Sequence, residues 1–181
     1  MIYNRQRKVR LNIKRLGGFA LEVTGGLELG QRWFDVAFVD DPEILRLNRE
    51  FRHTKRPTDV LSFPWAWDEG PSKVRNIFRR ELEGFLGDVI ISAETARRDA
   101  SEEGITLDVK LRQLVLHGAL HLLGYDHETD NGEMQSLENK LLARLGIDTF
   151  ERRLAPTKMK RKKQVKAQPP VAAGAKRGLP A

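Results

Sequence analysis

The sequence predicts a single α+β domain in which a mixed sheet of about four strands packs with about five helices. Four short segments have the apolar patterns of strands, and segments with helical apolar spacing are interspersed among them. The length of 181 residues suits one domain with an ordinary hydrophobic core. A cluster of histidines also predicts a metal site at the end of a central helix. We expect this domain to cover residues 1–154.

The first part of the chain predicts two strands and two helices. We expect an edge strand at "KVRLNI" (8–13), a helix within 13–29 and a half-buried strand at "RWFDVAFVD" (32–40), where apolar and polar residues alternate. The next helix begins sharply, because Asp41 can cap it and Pro42 suits its first turn. Its predicted apolar face consists of Ile44, Leu45, Leu47 and Phe51.

The middle of the chain predicts two more strands. The segment "VLSFPWAW" (60–67) follows a polar loop, and Pro64 indicates an edge or interrupted strand. Residues 68–84 predict an excursion from the core. The segment "GDVIIS" (87–92) is short and apolar, which is compatible with burial on both faces.

Three helices are predicted after the last strand. The first covers residues 92–104, with a serine that can cap its start and a glycine that ends it. The second runs from about residue 106 to Leu123, and Gly124 is its expected stop. The last covers about 131–145. The second of these helices carries two histidines of the cluster.

The positive charge of the chain is concentrated near its C-terminal end. The formal net charge is +7, and residues 155–181 contain six lysines, two arginines and no acidic residue. Subtracting these eight charges from +7 leaves residues 1–154 at −1. The basic tail has few large apolar residues, so we expect it to be disordered. Two interpretations stay open for it, an arm that attracts phosphates and a solubilising extension.

Composition excludes several kinds of protein. Because there is no cysteine, disulfides, thiolate catalysis and cysteine-bound zinc are excluded, and a metal here has only nitrogen and oxygen ligands. No run of about 18 apolar residues is present, which argues against a membrane span. The basic start lacks the apolar stretch of a secretory signal. We therefore expect a cytoplasmic protein with no membrane partner.

Three of the four histidines fall in the segment "HGALHLLGYDH" (117–127). In a helix, His117 and His121 lie on one face, about 6 Å apart along the axis, and both imidazoles can reach one cation. Gly124 ends the helix and allows a reversal that can bring His127 back to the pair. Two histidines spaced like this without a third are more often structural, but the third histidine favours a metal site. Three nitrogens leave a fourth position open, as in catalytic zinc sites.

The residue after the first histidine indicates which reactions the predicted metal site can catalyse. Metzincin metallopeptidases share this spacing, but their motif begins H-E-x-x-H and its glutamate acts as the general base. Here that position is Gly118, which has no side chain. The sequence therefore predicts a metal site that is not equipped for peptide hydrolysis. The fourth histidine, His53, stands alone in a polar loop and is expected to be a surface residue.

With this motif, the chain resembles the YbeY family of bacterial endoribonucleases, the rRNA maturation factors. Three further segments support the resemblance: "LNREFRHTKRPTDVLSFP" (47–64), "LGDVIIS" (86–92) and "LENKLLARLGI" (137–147). The match covers about residues 34–147. The eleven-residue motif is highly specific, and the other segments are supporting. The basic tail and residues 68–84 look like additions to the family pattern.

The resemblance implies a single-strand-specific, metal-dependent endoribonuclease that acts in ribosome biogenesis, in maturation of the 3′ end of small-subunit rRNA and in ribosome quality control. It implies one zinc ion held by His117, His121 and His127, and three imidazoles also accept another divalent metal such as nickel. The family's functional arginine maps onto Arg52, so Arg52 and His117 are the predicted catalytic residues. The implied partners are single-stranded RNA, an rRNA precursor and the small ribosomal subunit, with no DNA expected.

A metal ion and a guanidinium suit this reaction, because both stabilise the negative charge that develops on phosphate oxygens. Without the resemblance, we would interpret Arg52 as a partner of the last carbonyls of its helix. Asp126 either orients an imidazole or makes a turn, and Asp59 and Asp88 are expected to be structural. The general base is left open between a metal hydroxide and the RNA 2′-hydroxyl. The alternative function is a non-catalytic, ribosome-associated RNA-binding factor with a structural metal.

Overall fold

The computed structural model describes residues 1–65 and 83–147, which form one α+β domain of four strands and five helices. The strands are β1 (Ile2–Asn4), β2 (Trp33–Val39), β3 (Val60–Pro64) and β4 (Phe85–Ser92). The helices are α1 (Ile13–Gly26), α2 (Asp41–Arg52), α3 (Ala93–Glu103), α4 (Leu107–Leu122) and α5 (Glu133–Arg144). The predicted fold class is confirmed. The basic tail and most of the predicted excursion at 68–84 lie outside the described residues.

The sheet is mixed, with the strand order β1-β2-β4-β3. Strands β1 and β4 are parallel to β2, whereas β3 runs antiparallel to β4 at the edge. The edge position suits Pro64, because proline has no N–H to donate to a further strand. Strand β2 is buried at five of its seven positions, more than the half-buried strand predicted. Phe34, Val36 and Phe38 lie in the main core, and Val39 at the end of β2 packs with the buried Ile44 of α2.

Helix α4 is the central helix of the domain. It packs on β3 and β4 and also contacts α1, α3 and α5. Nine of its residues are buried, among them Val115, Leu116 and Leu120, which have no exposed surface. A helix that is apolar on most sides belongs in the core, as the sequence predicted. Of the helices within the described ranges, none is long and apolar enough to cross a membrane.

The predicted position of the first strand is wrong. Strand β1 is Ile2–Asn4 and pairs with residues 36–38 of β2, whereas residues 8–12 form no strand. The buried Gln6 closes a turn there, because its amide donates to the Val9 carbonyl and accepts from the Val9 N–H, each at 2.9 Å. The apolar alternation of "KVRLNI" therefore reflects loop packing, not strand pairing.

The N-cap of α2 is Asp40 and not the predicted Asp41. The Asp40 carboxylate accepts a hydrogen bond from the N–H of Glu43 at 3.1 Å. Asp41 lies in the first turn and instead accepts hydrogen bonds from the hydroxyls of Ser92 and Thr95 at the start of α3. Two adjacent aspartates are equally good caps by residue type, so only the packing of α2 against α3 separates them.

Candidate metal centre

Gly118 lets α4 lie directly against the sheet. A Cβ added at Gly118 would lie 2.4 Å from Cγ1 of Val89 on β4 and 3.2 Å from Oγ of Ser62 on β3. The first distance is far inside van der Waals contact, so no side chain fits there unless Val89 is displaced. The hydroxyl of Ser62 also donates to the Gly118 carbonyl at 3.1 Å. Position 118 therefore faces the sheet and anchors the helix that carries His117 and His121.

The chain reverses immediately after α4. Gly124 has a φ of +89°, in the left-handed region that favours glycine. Its N–H donates to the carbonyl of His121 at 3.0 Å, and the N–H of Tyr125 donates to that of Leu120 at 3.2 Å. These bonds pair carbonyls at the helix end that would otherwise lack partners. The reversal brings His127 back beside the helix, as the sequence predicted.

The three histidines of the motif converge on one point. One ring nitrogen from each of His117, His121 and His127 lies within 4.8 Å of the other two. Nε2 of His117 and Nε2 of His121 are 3.1 Å apart. Nitrogens bound to one tetrahedral zinc at about 2.0–2.1 Å stand about 3.3 Å from each other. The group can therefore hold a metal ion.

The surroundings of His121 favour its neutral form. Burial lowers the pKa of this imidazole, and the positive charges of His117 and His127 act in the same direction. A hydrogen bond with the Tyr125 backbone and the nearby Asp126 carboxylate raise the pKa but do not reverse the shift. A neutral imidazole has a free lone pair, which is the form that binds a metal.

Glu138 on α5 is a site residue that the sequence prediction missed. Its Oε2 lies 3.4 Å from Nδ1 of His117, and the residue is only 9% exposed. A signal was present in the sequence, because Glu138 falls on the same helix face as Met134, Leu141 and Leu142. A carboxylate in an apolar stripe needs a specific partner to offset the cost of burial.

The histidine cluster opens onto a groove of about 700 Å³. All three histidines line it, and so does Arg52, an exposed residue at the end of α2. The structure therefore brings the four predicted site residues to one place, although Arg52 is far from the others in sequence. Their roles in metal binding and catalysis stay a prediction.

The loop between α2 and β3 forms another wall of the groove. Asn48, which is 6% exposed, holds this loop by donating from Nδ2 to the Arg56 carbonyl at 2.7 Å. The backbone carbonyl of Asn48 accepts a hydrogen bond from the N–H of Thr54 at 3.2 Å. No local sequence pattern predicted this role for Asn48. His53 in the same loop is exposed and lies outside the histidine cluster, so its predicted surface position is confirmed.

Two of the three aspartates noted in the sequence, Asp126 and Asp59, accept local hydrogen bonds. Asp126 accepts from the N–H of Glu128 at 3.1 Å, and this bond is the main cause of its lowered pKa. Asp126 therefore makes the turn after α4. The carboxylate beside an imidazole is that of Glu138. Asp59 accepts from the N–H of Val60 at 2.9 Å. Asp88 alternates with the α4-facing residues of β4 and points to the other side of the sheet.

The fold and the site define a class of protein, an α+β domain with a three-histidine group that can hold a metal at the wall of an open groove. The family model Endoribonuclease YbeY matches residues 2–146. The chain belongs to the YbeY family of endoribonucleases, which confirms the resemblance drawn from its motif.

Individual relatives support this membership. An Endoribonuclease YbeY of Nautilia profundicola is 42% identical over 113 residues, which cover 62% of this chain and 72% of that protein. The one of Aquifex aeolicus is 39% identical over 145 residues, covering 78% and 87%. The solution structure of a Thermotoga maritima protein matches with a TM-score of 0.54 and 27% identity, covering 80% of this chain and 89% of that one.

Proposed function

We propose that this protein is a zinc-dependent endoribonuclease that cleaves single-stranded RNA in the cytoplasm. The proposal is carried by the convergence of three histidine nitrogens at the wall of a groove that Arg52 also lines. Membership of the endoribonuclease family supports the reaction class.

His117, His121 and His127 would hold the ion, each through one imidazole nitrogen. Three protein ligands leave a position for substrate, as in catalytic zinc sites. When bound, zinc polarises a phosphoryl oxygen and lowers the pKa of water to about 7. His117 would thus be catalytic through the metal that it holds. Nickel also accepts three imidazoles, and metal analysis of the purified protein decides between the two ions.

Arg52 is proposed to bind the phosphate at the cleavage position. Its planar guanidinium can donate two parallel hydrogen bonds to non-bridging oxygens. Negative charge on these oxygens grows in the transition state, so a guanidinium there stabilises the transition state more than the bound substrate. The exposure of Arg52 in the groove supports this role, because the side chain can reach a bound strand.

We further propose that the substrate is an rRNA precursor. The cleavage would mature the 3′ end of small-subunit rRNA during ribosome biogenesis and contribute to ribosome quality control, with the small ribosomal subunit as a partner. Support comes from the resemblance of the histidine motif and three further segments to the rRNA maturation factors. DNA is not an expected substrate.

Peptide hydrolysis is disfavoured by the geometry at Gly118. The metallopeptidase motif requires a glutamate at this position as general base. The space beside Gly118 is filled by Val89, and a Cβ alone would lie 2.4 Å from it. Glycine is therefore required for packing at the position where a peptidase needs its catalytic carboxylate.

Cleavage of a labelled single-stranded RNA tests the proposed activity. Wild-type protein should cut the strand, and a chelator should suppress the reaction until zinc is restored. Arg52→Glu and His117→Ala should each lower the rate by at least about a hundredfold, the order of effect seen when a transition-state charge partner is lost. Circular dichroism shows whether the variants remain folded.

A matched control distinguishes the specific role of Arg52 in the groove from a general effect of reversing a positive charge. Arg49→Glu reverses an exposed arginine in the last turn of the same helix and should retain most of the activity. Equal cleavage by wild type, Arg52→Glu and His117→Ala would reveal a contaminating nuclease and refute the site. RNA binding and one bound metal without cleavage would favour the non-catalytic, ribosome-associated factor.

A further inference from the structure

We propose that Glu138 is a positioning residue that holds the imidazole of His117 in the tautomer and orientation needed to bind a metal. The inference rests on the metal site of the proposed function and adds a residue from a different helix. Among the described residues, the buried polar or charged ones are Gln6, Asn48, Ser92 and Glu138. Glu138 is the one among them that carries a full charge, so its burial needs a specific reason.

The two nitrogens of the His117 ring have different partners. Nδ1 lies 3.4 Å from Oε2 of Glu138, whereas Nε2 lies 3.1 Å from Nε2 of His121. An ionised carboxylate only accepts hydrogen bonds, so this contact favours the proton on Nδ1. The lone pair is then on Nε2, the nitrogen directed into the histidine cluster. The contact thus selects the tautomer that can bind a metal inside the cluster.

The packing of α5 fixes the position of this carboxylate. Met134, Leu141 and Leu142 on the same helix are buried in the main core, so α5 cannot shift without exposing apolar surface. Glu138 is therefore presented to His117 from a rigid element, 21 residues away in sequence. Carboxylates placed in this way orient metal-binding imidazoles and increase their basicity as ligands.

The lysine that lines the hollow beside Glu138 already has an ion-pair partner of its own. Glu138 and Lys110 line the same hollow of about 480 Å³, which His117 also lines. The ammonium of Lys110 lies 2.7 Å from Oε1 of Glu103 and forms an ion pair with it. The contact with His117 therefore accounts for the carboxylate better than a structural ion pair with Lys110 does.

Zinc affinity of the folded protein tests the proposal. Glu138→Ala should weaken zinc binding by about 10–100-fold in competition with a chromophoric chelator, the usual cost of losing such a partner. Glu138→Gln should recover most of this loss, because its amide oxygen still accepts from Nδ1–H. The matched control is Glu133→Gln, which neutralises an exposed glutamate in the first turn of α5 and should bind zinc like wild type. Affinity of Glu138→Ala within twofold of wild type would overturn the inference.

A second measurement needs neither metal nor RNA. Long-range proton–nitrogen NMR spectra of the metal-free protein report which His117 nitrogen carries the proton. Wild type and Glu138→Gln should show Nδ1–H, and Glu138→Ala should shift toward Nε2–H. A role confined to packing would lower the melting temperature of Glu138→Ala and leave the tautomer of the folded protein unchanged, which would contradict the proposal.

The two measurements keep this inference separate from the proposed function. If wild type binds zinc and shows the expected tautomers but cleaves no RNA, the nuclease assignment fails and the role of Glu138 stands. If wild type cleaves RNA in a zinc-dependent way and Glu138→Ala changes neither affinity nor tautomer, the nuclease assignment stands and the role of Glu138 is refuted.

Discussion

Two polar clusters of the domain are built in opposite ways. In the Asp41 cluster, Ser92, Thr95 and Arg98 all donate to the Asp41 carboxylate, at 2.5, 2.8 and 2.7 Å. Each donor meets an acceptor supplied by the protein, and the bonds join α2 to α3. In the histidine cluster (His117, His121 and His127), one imidazole nitrogen from each residue lies close to those of the other two. The first arrangement is complete within the protein, whereas the second can hold a cation.

The two clusters also differ in the charge state that they favour. Burial raises the pKa of Asp41, but hydrogen bonds from Ser92, Arg98 and Thr95 outweigh it, and the net shift is downward. The pKa of His121 is also lowered, chiefly by burial and then by the charge of His117. The protein thus keeps Asp41 ionised and His121 neutral. Donors match acceptors around Asp41, whereas three imidazoles converge in the group that can hold a metal.

The largest effect is expected from removing a member of the histidine cluster. His121→Ala should weaken zinc binding by more than about a hundredfold, because even the loss of a residue that only orients a ligand costs 10–100-fold. The unfolding free energy of the metal-free protein should change by less than about 1 kcal/mol, since the ring is only half-buried. Chelator competition and chemical denaturation measure the two quantities. A large loss of stability without loss of affinity would make this cluster structural, like that of Asp41.

A smaller effect is expected beneath the histidine cluster. Gly118→Ala places a methyl group 2.4 Å from Val89 and should destabilise the protein by roughly 1–3 kcal/mol. The double variant with Val89→Ala should recover part of this cost, because the smaller residue makes room. Denaturant titration of the four proteins gives the coupling energy. If the destabilisations of the two single variants simply add in the double variant, residues 118 and 89 are not in steric conflict.

The Asp41 cluster should respond in stability alone. Asp41→Asn removes the charge that Arg98 and two hydroxyls contact, and should cost about 1–2 kcal/mol of unfolding free energy. Zinc affinity should stay within about twofold of wild type, because the Asp41 cluster does not line the groove of the histidine cluster. A marked loss of zinc affinity in this variant would show that the two clusters are coupled.

The smallest effect concerns pH. Because the pKa of Asp41 is lower in the folded state than in the unfolded chain, its contribution to stability is present above about pH 3.9 and is lost as pH falls through the folded value. Stability of the wild type should therefore fall more steeply on acidification than that of Asp41→Asn. Denaturation curves between pH 6 and 3, at constant ionic strength, compare the slopes. Parallel curves would contradict the lowered pKa.

Local signals predicted some elements of the fold correctly and failed for others. Ser92 caps α3 through the N–H of Thr95, and Gly104 ends it with a left-handed backbone, as their residue types predicted. The first strand was misplaced, because Ile2–Asn4 becomes a strand only by pairing with β2. Its short sequence carries no periodic signal of its own, whereas "KVRLNI" imitates one in a loop.

The sequence by itself determined the histidine cluster. Two histidines one helical turn apart, a helix-ending glycine and a third histidine are local features, and the geometry of a helix followed by a reversal brings them together. Tertiary structure alone decided that Arg52 lines the same groove, that Glu138 contacts His117 and that Gly118 is held against Val89. Each of these contacts joins residues from different elements. They depend on how the helices pack on the sheet, and no local pattern encodes that packing.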